Sequence, residues 1–229
     1  APYYSELAEK LIGEIKEVFN AMGAAQIGTP CAESICERLV MVDSIERLGI
    51  DRHFQKEITE QLDYVFRYWK KCDKDLNTTV LGLRILRLHR YEVSSDVLEE
   101  FKSKNGGLFC SSTISEQEIK SVLNLFRASL IAFPMEKVME EAKAFATAYL
   151  NQSLHNSEMS SNLSREITFN LEYGWYSNLP RIEARNYIDI YGENNSWAKV
   201  PHNKKLLYLA KLDFNIVQSI HQRELKDLS

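Results

Sequence analysis

The sequence predicts an all-α fold, and three observations carry that expectation. Apolar residues recur at the three- and four-residue spacing of helix faces through most of the chain. No run of alternating apolar and polar residues persists long enough to form a half-buried strand. Capping residues, glycines and prolines fall where the apolar periodicity starts and stops. At 229 residues and 45% apolar content, the chain can bury one sizeable core or two small ones.

The first helix reads from ELAEKLIGEIKEVFNAMG, where Leu7, Leu11, Ile15, Val18 and Met22 share a face and Gly23 suits the helix end. AAQIGTP, residues 24–30, reads as a linker. Leu39, Val42, Ile45 and Leu48 make the next face, closed by Gly49. Phe54, Ile58, Leu62, Val65 and Trp69 make a third. After Asn77, Leu81, Leu83, Ile85, Leu86 and Leu88 cover most of a helix circumference, which predicts an inner helix. SSDVLEEF predicts a further helix capped by Ser95 or Asp96. Ser115 and Glu118 form a capping box ahead of Ile119, Val122, Leu123 and Phe126. Pro134 and Pro180 suit helix first turns, and Gly192 a helix end. In the last helix Leu209, Leu212, Ile216 and Ile220 align, and Leu206, Leu225 and Leu228 are expected to extend that stripe. About ten helices joined by short loops predict helical hairpins, and no repeat of 34 or 40 residues suggests a solenoid.

The 28 basic and 32 acidic residues are interspersed, for a net charge of −4, so no basic face predicts a nucleic-acid partner. No apolar run approaches the roughly 18 residues of a membrane span. The opening APYYSELAEK lacks the basic flank and apolar block of a signal peptide, so no targeting segment is expected in this chain. Without secretion, Cys31, Cys36, Cys72 and Cys110 read as reduced thiols, and the Asn77 and Asn162 glycosylation triplets carry little meaning. Cys31 and Cys36 lack the second close pair that zinc needs. His53, His89 and His221 have no acidic partner at fixed spacing and read as ordinary helix histidines. Trp69, Trp175 and Trp197 have the size and shape to line a hydrocarbon pocket, but core packing is the more usual role at helical spacing, and Met41 and Met135 read as core fillers.

Four stretches exceed generic helix patterning: LVMVDSIERLGIDRHFQKEI, DLNTTVLGLRILRLHRYEVSSDVLEEFK, LPRIEARNYIDIYG and LAKLDFNIVQSIHQRELKDLS. Together they resemble plant terpene synthases, most of all the three-domain diterpene and bisabolene synthases. The likeness runs from Ile35 to Ser229, and the helix from Tyr3 to Met22 resembles the start of the family's γ domain. The resemblance implies three parts. Residues 1–34 would be a γ-like helix and linker, and 35–200 a β domain built as an incomplete α/α barrel. Residues 201–229 would start the C-terminal synthase (α) domain.

The family works by two chemistries. Protonation-initiated members carry Asp-x-Asp-Asp, whose middle acid protonates an alkene or epoxide. That task needs a carboxylic acid kept protonated and positioned. Here Asp75 matches the first acid, Asn77 stands at the proton donor and Thr78 at the next acid. A carboxamide has no useful acidic proton, so these positions resemble a vestige, and any of the three could equally cap the adjoining helix. Ionisation-initiated members use Mg²⁺ held by Asp-Asp-x-x-Asp and a second oxygen-ligand motif. The sequence contains no Asp-Asp pair. Accordingly no catalytic, metal-ligating or cofactor-binding residue is expected on this chain alone.

The resemblance implies a fragment or truncated homologue. The complete enzyme would cyclise geranylgeranyl or farnesyl diphosphate, in the plastid stroma for a diterpene type and otherwise in the cytoplasm. This region would be its scaffold. The alternative is a non-catalytic helical interaction protein derived from a synthase. Between Trp69 and Asp75 stands only KKCDK, where relatives carry a longer Gly- and Trp-containing segment. The chain also stops on a helical pattern. Helix 205–228 is therefore expected to meet a missing synthase domain or a second copy.

Overall fold

The computed structural model describes residues 2–24, 32–72, 74–102, 115–156, 159–174, 180–193 and 203–228. The expected linker beyond Ala24, and Cys31, Cys110, Trp175 and Trp197, lie outside them. Among the described residues the fold is all-α, with no strand. Nine α-helices appear there: α1 (Pro2–Ala24), α2 (Ala32–Arg47), α3 (Gln55–Tyr68), α4 (Leu76–Leu88), α5 (Glu116–Ser129), α6 (Lys137–Ser153), α7 (Ser161–Glu172), α8 (Pro180–Glu193) and α9 (Asn203–Leu228). Two 3₁₀ segments, Asp51–His53 and Ser95–Phe101, complete the order. No helix is long and apolar enough to cross a membrane.

The chain forms two compact units. One comprises residues 1–29, 40–64 and 179–229, and the other residues 30–39 and 65–178.

In the first unit α9 packs on α1 and α8. Leu11, Ile15, Val18 and Phe19 of α1 are buried, as are Leu206, Leu209 and Leu212 of α9. Burying each such side chain contributes roughly 1.5–3 kcal/mol. Lys205 of α9 pairs with Glu14 of α1 at 2.6 Å. Gly49 ends the α2 region at φ +70°, and an added Cβ would lie 2.9 Å from the Ala184 Cβ of α8. Both the backbone conformation and the close approach require glycine there. Beside it the Arg47 guanidinium lies 3.6 Å over the Tyr187 ring and pairs with Glu183 at 3.7 Å. Burial pushes the neighbouring Tyr191 hydroxyl up in pKa, helped by Tyr187 and opposed by a hydrogen bond with Ser44.

In the second unit α4 is the inner helix that its composition predicts. Every residue from Thr78 to Leu86 is buried. It packs on α5 and on the 95–101 segment, α5 packs on α6, and α7 joins α5. Ser115 caps α5, its Oγ accepting from the Glu118 amide at 3.2 Å.

Several local expectations are corrected. SSDVLEEF forms a 3₁₀ segment instead of an α-helix, and Ser94, not Ser95 or Asp96, caps it. A run of seven residues with two adjacent acids has too little apolar face to stabilise a longer α-helix. Gly23 lies inside the last turn of α1, not after it. Pro134 falls in the turn before α6, three residues ahead of its start, whereas Pro180 does open α8. Met135, expected in the core, is 90% exposed at φ +74°. It sits in the tight turn that brings Glu136 back to Phe133, whose amide donates to the Glu136 Oε2 at 2.8 Å.

Candidate functional site

The N-terminus of α4 holds the three positions singled out from the sequence. Asp75 is the N-cap, extended at φ −69° and ψ 169°, and its Oδ1 accepts from the Thr78 amide at 2.7 Å. The capping role open to three residues therefore falls to Asp75. A carboxylate there satisfies an orphan N–H and favours the positive end of the helix dipole. Asn77 accepts from the Asn124 Nδ2 of α5 at 2.9 Å. Asn124 is buried, and its own Oδ1 has no donor. Thr78 is buried and hydrogen-bonds the Cys36 side chain, while burial pushes the Cys36 thiol up in pKa.

The site thus brings together a capping carboxylate, two amides, a hydroxyl and a protonated thiol. Among these groups Asp75 alone is a carboxyl, and it serves as an acceptor. The amides can donate and accept hydrogen bonds but cannot deliver a proton to carbon. Among the described residues no three or more His, Cys, Asp or Glu side chains gather where they could hold a metal ion. The described residues thus offer no ligand set for the Mg²⁺ that the resemblance implies.

A second polar centre joins residues far apart in the chain, and their spacing in sequence gives no hint of it. His53, read as an ordinary helix histidine because no acid stands at a fixed spacing from it, meets one distant in the chain. Its Nε2 lies 2.9 Å from the Asp213 Oδ1 on α9. Arg52 donates to the same oxygen at 2.5 Å, and Arg181 approaches Oδ2 at 3.7 Å. Arg181 also donates to the Phe214 carbonyl at 3.3 Å and lies over the Phe214 ring. Asp213 is 4% exposed, so this carboxylate is stable only because cations surround it. The arrangement clamps the 51–53 turn and α8 to α9. One signal was legible: at about 100° per residue, Asp213 falls inside the apolar sector of α9, between Leu206 and Ile220. His89 ends α4 as its C-cap, and His221 lies exposed on α9.

The model for the terpene synthase N-terminal domain matches residues 2–171. Over its whole length the chain is 54% identical to α-pinene synthase, chloroplastic, of Chamaecyparis formosensis, covering 38% of that protein. It is 54% identical to (R)-linalool synthase 1, chloroplastic, of Picea sitchensis over 99% of the chain and 38% of that relative. Longifolene synthase of Picea abies is 52% identical over the whole chain, which spans 41% of it. Among solved structures, abietadiene synthase from Abies grandis superposes with a TM-score of 0.74 at 43% identity, over 85% of this chain and 29% of that one. Isoprene synthase from Populus x canescens, solved with three Mg²⁺ ions and dimethylallyl-S-thiolodiphosphate, gives a TM-score of 0.79 at 28% identity, over 98% and 40%. The chain spans about two fifths of the length of these curated relatives. With its family model covering most of its length, its whole sequence aligned to synthases and its helices superposing on theirs, the chain belongs to the terpene synthase family and carries that family's N-terminal domain.

Proposed function

We propose that this chain is the helical scaffold region of a terpene synthase. The complete protein would convert a prenyl diphosphate by Mg²⁺-dependent ionisation, with metal and diphosphate held by residues other than the described ones. The observation that carries this reading is the chemistry at the α4 N-terminus, where Asn77, which the resemblance aligns with the family's proton donor, is an amide paired with Asn124. Whole-length identity to pinene, linalool and longifolene synthases supports it, as does the isoprene synthase structure with Mg²⁺ and a diphosphate analogue. Asp75, Asn77 and Thr78 are, on this reading, a vestige of the protonation site kept for capping and packing.

The chloroplastic names of the pinene and linalool synthases support a plastid location. The division into residues 1–34, 35–200 and 201–229 belongs to the same proposal. Bearing on its first boundary, the family model takes in α1 together with α2 to α6. A second reading, a non-catalytic helical interaction protein, is favoured by the exposed apolar side chains on the distal half of α9, and its test belongs to that helix.

The test is incubation of the chain with geranyl, farnesyl and geranylgeranyl diphosphates and Mg²⁺, then mass spectrometry of extracted products. No hydrocarbon or cyclised diphosphate above a boiled control is expected from the chain or from its Asn77→Asp/Thr78→Asp variant. An acid needs a surrounding shell that keeps it protonated and aims it. Turnover by the unaltered chain overturns the scaffold reading. Turnover gained only by the variant shows that a working acid site lacks nothing but its carboxyls.

A further inference from the structure

In the second compact unit, the end of α3 and the segment after α4 enclose a groove of 960 Å³. Its wall carries more positive charge than the chain's acidic balance suggests. Arg67, Lys70, Lys71 and Arg90 all line it and are all exposed. None of the four makes an ion pair with a described residue. A fifth lining cation, Arg87, is different. It is buried and held by Glu136 through a two-pronged pair at 2.8 and 2.5 Å, so Glu136 offers nothing to the other four. Glu92 is the one remaining acid in the wall.

The rest of the wall is aromatic. Phe66 and Phe133 are 42% and 59% exposed, and Phe66 pairs with the Tyr91 ring at 5.1 Å. Phe133 is backed by the Arg87 guanidinium at 4.5 Å, and more than half of its surface stays exposed. Trp69 also lines the groove. It is 3% exposed, its six-membered ring lies against Gly82, and its indole Nε1 has no acceptor. A buried N–H without an acceptor is costly and rare in a settled interior.

Arg90 adds an independent observation. It stands at the position after the end of α4, at φ +67°, in the left-handed region. The Tyr91 amide reaches back to the Leu86 carbonyl at 2.9 Å and the Arg90 amide to Arg87 at 3.0 Å, which is the closure that normally takes glycine. A long charged side chain at this position works against the helix end, and it lines the groove.

We propose that this groove binds a small organic anion: a phosphate ester with a flat aromatic body. The phosphate would lie among Arg67, Lys70, Lys71 and Arg90, and the body against Phe66, Tyr91 and Phe133. The volume is that of a small-molecule site. Exposed cations supply affinity for the anion, and the exposed Phe66 and Phe133 rings select for the body. The proposal is independent of the synthase reading and needs no metal.

The experiment is calorimetric titration of the full chain without Mg²⁺, using 1-naphthyl phosphate, inorganic phosphate and a hexa-aspartate peptide. The naphthyl ester is expected to bind roughly tenfold more tightly than inorganic phosphate, the worth of one good aromatic contact. Arg90→Gly is expected to weaken naphthyl phosphate binding about three- to fivefold. The same substitution relieves the helix end, so its Tm should rise by about 2–4 °C. A purely structural Arg90 would leave binding unmoved. Lys70→Gln/Lys71→Gln is expected to weaken binding with no change in Tm. Naphthyl and inorganic phosphate binding equally well, or all variants binding like the parent chain, would overturn the proposal. So would tighter binding of the acidic peptide, which would mark the groove as a protein contact.

Discussion

At Gly82 the missing side chain is what lets the Trp69 ring lie against α4, with Leu39 close behind. Alanine there would gain about 1 kcal/mol in helix propensity. It would also drive a methyl group into the indole, and overpacking of this kind costs about 1–3 kcal/mol. Gly82→Ala is therefore expected to be net destabilising and to lower the urea midpoint, whereas a raised midpoint would mean that Trp69 moves aside freely. Glu136 makes the second residue-scale case. The Arg87 guanidinium holds its carboxyl at about 2, with lesser help from the Phe133 amide and Ser95, against 4.5 when unperturbed. Because the folded pKa is depressed, the stabilisation is complete above about pH 4.5 and is lost as pH falls towards 2. It amounts to something on the order of 2–3 kcal/mol. Unfolding midpoints measured from pH 6 to 2 should fall more steeply for the unaltered chain than for Glu136→Gln, and parallel curves would refute the assignment.

At the scale of elements, α9 is the helix whose reading changes most. Its first half does not wait for a partner, because Leu206, Leu209 and Leu212 are buried within its own unit and Asp213 is clamped there. The expected continuation of the stripe also fails in part on geometry. At about 100° per residue, Leu225 lies on the opposite side of the helix from Ile216, whereas Leu228 falls about 40° from Leu206 at the edge of the seam. Ile220, Leu225 and Leu228 are all exposed. Hydrogen exchange should therefore show slow amides up to about Ile216 and fast ones from Ser219 onward, since a helix end without buried contacts opens locally. Uniform protection to Leu228 would mean that a second copy covers the distal half. That outcome would be joined by a concentration-dependent mass in light scattering, which Ile220→Ser/Leu225→Ser should abolish. Such a result would favour the interaction-protein reading over a plain scaffold.

For the whole molecule, sequence identity and the superposition of helices agree on family, while the polar chemistry inside the chain concerns architecture. The exposed Asp75 carboxylate caps a helix, the buried Asp213 carboxylate is clamped, and the half-buried Asn77 pairs with the buried Asn124. The alignment to the pinene synthase runs over 243 residues against the 229 of this chain, so the relative carries residues that this one lacks. The five-residue stretch between Trp69 and Asp75 is where the resemblance places the difference. An intact mass measured on the natural protein tests the scaffold proposal at this scale. A value well above 26.5 kDa is expected, and one near it would favour a short protein with a role of its own.

Helix identity and burial were legible in the sequence because both arise from periodicity, which is local. The inner position of α4 came from its nearly continuous apolar circumference; that a cap stands at its start came from the polar residues before the apolar run, but which of Asp75, Asn77 and Thr78 caps was decided by the backbone. The family came from motifs that are contiguous in the chain. The partners of polar side chains were not legible, because pairing depends on distance in space and not in sequence. Asp213 meets His53 across 160 residues, and Asn124 meets Asn77 across 47. The groove cations were hidden for the same reason. Lys and Arg interspersed with acids average out along the chain, and only folding gathers Arg90 with Arg67, Lys70 and Lys71 while Glu136 is taken up by Arg87.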